Sequence, residues 1–112
     1  MPAAARSLDD VFRALADPTR RRVLGQLSRG SASVSELAEP FAMALPSFVA
    51  HLRQLEDSGL VRSTKVGRVR TLRLVPGRMK IAEHWLAQQR TQWEKRLDQL
   101  DAYLTQLKEQ QK

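Results

Sequence analysis

The 112-residue chain contains no cysteine. Disulfides, thiolate metal sites and thiol redox sensing are therefore excluded, and nothing supports an oxidising, extracellular setting. Aromatic residues make up only 5% and histidine occurs twice, too few for a Ser/His/Asp set or a His-rich metal site. Five glycines are scattered along the chain, and none belongs to a loop that would cradle a phosphate. No apolar run approaches the ~20 residues of a membrane span. The opening Met1-Pro2-Ala3-Ala4-Ala5-Arg6 lacks the apolar stretch of an export signal. These absences leave one small domain with no enzymatic role, cofactor or membrane contact, expected in the cytoplasm.

Acidic residues are missing from one stretch in particular. Leu60 to Arg78 holds six Lys/Arg and no Asp or Glu. The whole chain has formal charge +7 and a pI of about 10.8, which suits a polyanionic partner. Residues 1–78 carry 13 basic and 7 acidic side chains, against 6 and 5 in residues 79–112. The excess charge belongs to the first two-thirds, as expected if that part meets phosphates and the tail does something else.

Helix signals punctuate that part. Residues 1–7 read as a disordered tail. Ser7 with Asp10 forms an acidic variant of the capping box, opening a helix in which Leu8, Val11, Phe12 and Leu15 repeat at helical spacing. Asp17-Pro18 is an N-cap followed by proline at a first helical position, and Gly30 stops this second helix. Ser33-Val34-Ser35-Glu36 is a full capping box for a third helix that ends near Pro40. Pro46 starts a fourth, with Phe48, Leu52 and Leu55 as its inward stripe and Gly59 as its stop. Val61–Val66 and Val69–Val75 flank Gly67-Arg68, which reads as a two-stranded hairpin. Pro76-Gly77 reads as another break, after which one long helix runs from Met79 to about Lys108.

The last helix carries its own pattern. Leu86, Trp93, Leu100 and Leu107 recur every seven residues, with Leu97 and Leu104 interleaved and Arg90 interrupting once. This is an a/d seam, and a small globule has little core left to cover it beyond Trp93, so a second copy is the cheapest cover. The fold class that follows is mainly α with a small β-hairpin (α+β). Its layout is a winged helix-turn-helix spanning 8–78, with a long C-terminal dimerisation helix over 79–112.

Helix, turn, helix and basic hairpin is a device that lays one helix in the DNA major groove and a positive loop on the flanking backbone. The segment Leu45-Pro46-Ser47-Phe48-Val49-Ala50-His51-Leu52-Arg53-Gln54-Leu55-Glu56-Asp57-Ser58-Gly59-Leu60-Val61 resembles the recognition-helix stretch of the ArsR family of bacterial winged-helix repressors. The opening Phe12 to Leu24, with Leu15-Ala16-Asp17-Pro18-Thr19-Arg20-Arg21-Arg22, and the hairpin Lys65 to Arg70 are similar to that family as well. The resemblance covers residues 8 to 75 in order. It implies a homodimeric repressor with terminal helices at the dimer interface, which assigns Leu8, Val11 and Phe12 there beside Leu86, Trp93, Leu97, Leu100, Leu104 and Leu107. Metal-sensing members place two cysteines after a Glu-Leu, whereas Glu36-Leu37 is followed here by Ala38, Glu39 and Pro40. Zinc-sensing members use an Asp/His-rich set on the last helix, where this chain has only His84 with Glu83, Glu94 and Asp98. The chain therefore resembles a member without metal sensing.

At about 100° per residue, Ser47, Ala50, Arg53, Gln54 and Asp57 lie opposite the inward stripe. Ser47 donates or accepts, Gln54 suits adenine, and Arg53 suits guanine or a phosphate. Val49 and Ala50 stand where relatives carry a hydroxyl and a charge, so thymine methyls or DNA shape would supply discrimination there. His51 lies at the margin of the stripe, between packing and base contact. Lys65, Arg68 and Arg70 would supply backbone contacts. Arg20, Arg21 and Arg22 oppose a helix dipole, which points to a phosphate or an acidic neighbour. The expected partners are double-stranded DNA, as a pseudo-palindromic operator, and a second copy of the chain. A small-molecule effector near Trp85 and Trp93 has little support, because aromatic residues at helical spacing more often simply pack. Two readings stand beside promoter occlusion: a winged-helix adaptor for RNA or protein, and a nucleoid-type DNA binder without sequence choice.

Overall fold

The computed structural model describes residues 3–111, with side chains from residue 7 onward. Five helices and three short strands follow one another: α1 (Ala3–Leu15), α2 (Pro18–Leu27), β1 (Ala32–Ser33), α3 (Val34–Ala38), α4 (Leu45–Asp57), β2 (Val61–Val66), β3 (Val69–Leu74) and α5 (Pro76–Gln110). The strands form one antiparallel sheet in the order β1-β3-β2.

Local sequence explains most of these boundaries. Asp17 caps α2, its carboxylate accepting from the Arg20 amide at 3.0 Å. Ser33 and Glu36 close a reciprocal capping box on α3, each side chain accepting from the other's backbone N–H at 3.2 Å. Gly67 takes φ +62 as the first of two residues joining Val66 to Val69, and Arg68 does not share that conformation. A positive φ at the first position alone fits a type II′ hairpin turn, whose twist matches its strands. Gly59, at φ +82, is required twice over: a Cβ there would lie 2.7 Å from Nε of Arg78. That Nε donates to the Ser58 carbonyl at 2.8 Å, and Nη2 of the same side chain donates to Ser7 Oγ at 3.2 Å.

Four expectations change. The first helix starts at Ala3, not at Ser7, because Ala3-Ala4-Ala5-Arg6 are strong helix formers. Residues 3–7 of the expected tail are thus helical, while residues 1 and 2 lie outside the described residues. The hairpin gains a third strand, with Ala32 opposite Leu72 and Ser33 opposite Thr71. Pro76-Gly77 does not break the chain but opens α5, since proline at a first helical position lacks only an N–H that would be unpaired anyway. Val11, which the resemblance assigns to an interface between copies, is 0% exposed and belongs to the core of its own chain. Leu8 and Phe12 are half-buried.

The chain divides into two compact units, Met1–Ala82 and Glu83–Lys112, and α5 contributes to both. The core lies within the first unit: Val11, Ala14, Val23, Leu27, Leu37, Phe48, Leu52, Leu55, Leu60, Val61, Leu72 and Ala82. In the second unit no described residue is buried.

Candidate nucleic-acid interface

Three side chains hold α4 to the core. Phe48, Leu52 and Leu55 are at most 4% exposed, and burying each is worth roughly 1.5–3 kcal/mol. With that stripe fixed, Leu45, Pro46, Ser47, Ala50, Arg53, Gln54 and Asp57 are left exposed. The start of the helix is also open, because its N-cap residue Ala44 provides no side-chain hydrogen bond. The positive end of the helix dipole lies there.

The expected reading residues do not all share one aspect. Gln54 lines a cleft of about 320 Å³ with Asp10 and Arg13 of α1. Arg53 instead lines a cavity of about 250 Å³ with Val34, Arg70 and Leu72. Val49, half-buried, lines that second cavity too. Ser47 and Ala50 are exposed, Ala50 between these flanks and Ser47 on one face with Gln54 by helical spacing. Leu45, 57% exposed in the first turn, is an apolar side chain that the sequence pattern did not single out.

His51 occupies a different setting. Its Nδ1 lies 3.0 Å from Nη1 of Arg20 and 3.7 Å from Oδ2 of Asp17. Arg20 is itself only 8% exposed. Its Nε donates to the Ala14 carbonyl at 2.8 Å and its Nη2 to the Arg13 carbonyl at 2.9 Å. Arg21 donates from Nη1 to the Leu15 carbonyl at 2.7 Å. The last carbonyls of α1, which have no partner within their own helix, are therefore capped by cations from the first turn of α2. This explains arginines at the dipole-opposed end of α2: the negative end of α1 stabilises them. Arg22 stacks over the Phe41 ring at 4.4 Å, a cation–π contact. Burial pushes the Asp17 carboxyl up. The Arg20 backbone amide and the charges of His51 and Arg20 outweigh that and hold it below its ordinary value.

The wing places like charges face to face. In the β2–β3 register Lys65 stands opposite Arg70 and Arg62 opposite Arg73. Directly opposed like charges destabilise a hairpin, and an anion between or beside them would relieve that cost. Side-chain alternation puts Lys65 and Arg70 on the face of β3 that also carries buried Leu72. Arg70 there donates to Ser63 Oγ at 3.0 Å and stands 3.9 Å from Oε1 of Glu56 on α4, an oxygen buried without a hydrogen bond. Arg68 occupies the turn and is exposed, as is Lys65. Sequence patterning found the wing cations and marked Arg20 as needing a partner, but it did not single out Glu56 or Arg78, whose roles depend on tertiary contacts. A basic residue at a first helical turn after Asp-Pro was the one available signal for Arg20.

Among the described residues no group of three or more His, Asp or Glu side chains is placed to hold a metal ion, so His84, Glu83, Glu94 and Asp98 do not assemble one. No helix among them is long and apolar enough to cross a membrane.

Known proteins share this arrangement. A family described as Helix-turn-helix domain matches residues 15–64. The transcriptional repressor SdpR of Bacillus subtilis is 33% identical over 61 residues, 54% of this chain and 68% of that protein. A crystal structure of an ArsR family transcriptional regulator is 55% identical, with a TM-score of 0.78 over 84% of this chain and 97% of that one. A winged helix-turn-helix DNA-binding domain from Mycobacterium bovis, solved by NMR and described as homodimeric, is 26% identical. Its TM-score is 0.62 over 82% of this chain and 83% of that one.

Proposed function

Since the chain belongs to the ArsR family of winged helix-turn-helix transcriptional regulators, we propose that two copies of it bind a pseudo-palindromic operator and repress by occluding a promoter. The observation that carries this reading is the pairing of α4 with the wing. A helix pinned by Phe48, Leu52 and Leu55 leaves Ser47, Ala50, Arg53 and Gln54 exposed, and the hairpin next in the chain presents opposed cations. The α4 N-terminus, with Ser47 and Ala50, enters the major groove. Arg53 reads on the wing side and Gln54 on the α1 side, while Lys65, Arg68 and Arg70 contact phosphates.

Pairing of two copies is supported by the seam on α5. Leu86, Trp93, Leu97, Leu100 and Leu104 are each 46–67% exposed, and Leu107 is half-buried. So much apolar surface at heptad spacing marks an interface. Leu8 and Phe12 of α1 remain candidates for it; Val11 does not.

Footprinting on the DNA upstream of the chain's own gene, beside random duplex of equal length, tests this reading. Two protected half-sites about 10–10.5 bp apart, or a multiple of that spacing, are expected. Equal binding to random duplex would leave a nucleoid-type binder. No preference for duplex over an unrelated polyanion would leave an adaptor.

A further inference from the structure

The Arg20–His51 contact constrains more than packing. A guanidinium has five N–H donors and no acceptor, so the 3.0 Å contact from Nη1 to Nδ1 requires Nδ1 to be the accepting nitrogen. Arg20 cannot swing aside cheaply, because Nε and Nη2 are both spent on α1 carbonyls. A proton on Nδ1 would oppose Nη1 at hydrogen-bond distance, and Asp17 Oδ2 at 3.7 Å is too far to compensate. The proton of the neutral ring therefore belongs on Nε2. That atom has no hydrogen-bond partner among the described residues, and it is not among their buried unpaired atoms. His51 lies one turn from exposed Ser47 on α4, and side chains four apart are neighbours on a helix surface.

We propose that Arg20 is a positioning residue that fixes the Nε2-protonated tautomer of His51, so that His51 offers one directed N–H to an acceptor on bound duplex DNA. The inference rests on the DNA-binding reading for its second half only. The acceptor is a phosphate oxygen or a base-edge N7 or O6, all of which can accept from the same N–H. Arg20 itself stays beneath the surface and touches no DNA.

Imidazole 15N–1H correlation spectra of the whole chain at about pH 8, where neutral histidine dominates in ordinary settings, read the tautomer directly. A protonated Nε2 and bare Nδ1 for His51 are expected, and a protonated Nδ1 overturns the proposal. In Arg20→Met the bias should relax to a mixture; a folded variant with an unchanged tautomer overturns the positioning role. If that variant fails to fold, the wild-type spectrum and two His51 variants still decide. His51→Asn keeps a group near Nδ1 and loses the outward donor, and should weaken duplex binding about tenfold. His51→Gln can place its amide nitrogen near Nε2 and should stay within about threefold of wild type. An Asn variant that binds like wild type, or a Gln variant no better than Asn, overturns the donor role. A loss equal on all sequences identifies a phosphate acceptor, and a loss confined to the preferred site identifies a base edge. Wild-type protein that ignores every duplex would defeat the DNA reading while leaving the tautomer result intact.

Discussion

Met1–Ala82 and Glu83–Lys112 follow opposite economies. The first unit holds all twelve core residues, whereas no described residue of the second is buried. Yet the second carries Trp93 at 67% exposed and Leu97 at 60%. A lone helix gains little stability from propensity, most of it coming from packing an apolar face. The first unit can thus account for its own folding, and the second calls for cover that the single chain does not provide. Charge divides the same way: the excess of cations lies in residues 1–78, and 79–112 is nearly balanced. One unit is built to hold its shape and meet an anion. The other is built to meet something apolar, which the proposed function takes to be its own copy.

Breaking each unit where it is strongest should separate the two. Phe48→Ala removes the largest fully buried side chain of α4 and should cost about 3–5 kcal/mol of stability, read by thermal or denaturant unfolding. Replacing Trp93 and Leu100 by Glu puts charge into the seam without touching the core. Self-association should weaken about 100-fold or more, roughly 3 kcal/mol, in sedimentation experiments, while circular dichroism of the first unit's elements persists. Arg68→Ala with Arg70→Ala removes two phosphate contacts from each copy, so duplex affinity should fall about tenfold or more on all sequences alike and the salt slope of the dimer should flatten by ~4. Gln54→Ala should instead change which sequences are preferred.

The smallest effect concerns the α2 cap. Asp17→Ala should cost about 1 kcal/mol. Because the Asp17 carboxyl is held below its ordinary value of 3.8, its contribution is fully present above that value. It is lost as pH falls through the lower folded value. The stability gap between wild type and Asp17→Ala should therefore narrow as pH falls below about pH 4. A gap that stays unchanged well below that pH would mean that the carboxylate is not the group responsible.

Local chemistry was legible wherever the deciding partner lies within a few residues. Asp17-Pro18, Ser33 to Glu36, Gly59 and Gly67-Arg68 each set their element from within one turn, and the Phe48/Leu52/Leu55 stripe oriented α4 by periodicity alone. What escaped depends on distant partners. A two-residue strand at Ala32–Ser33 has no pattern to read, and it exists because β3 offers Leu72 and Thr71 as partners. Ser7 and Asp10 have cap chemistry, but three alanines before them carry the helix past. Val11 shares its helical spacing with half-buried neighbours, so only the packed chain separates inward from lateral positions. Arg20 read as needing a phosphate or an acidic neighbour, and the choice stayed open because its two carbonyl acceptors on α1 lie six and seven residues earlier, across a turn.

Titrating a fluorescent duplex carrying the footprinted site with the purified chain, at salt concentrations from about 50 to 200 mM, tests the central claim most directly. Two copies making roughly 6–10 phosphate contacts should lose about 10³–10⁵-fold in affinity across that range. An affinity that is flat with salt, or no binding at the lowest concentration, would contradict the account.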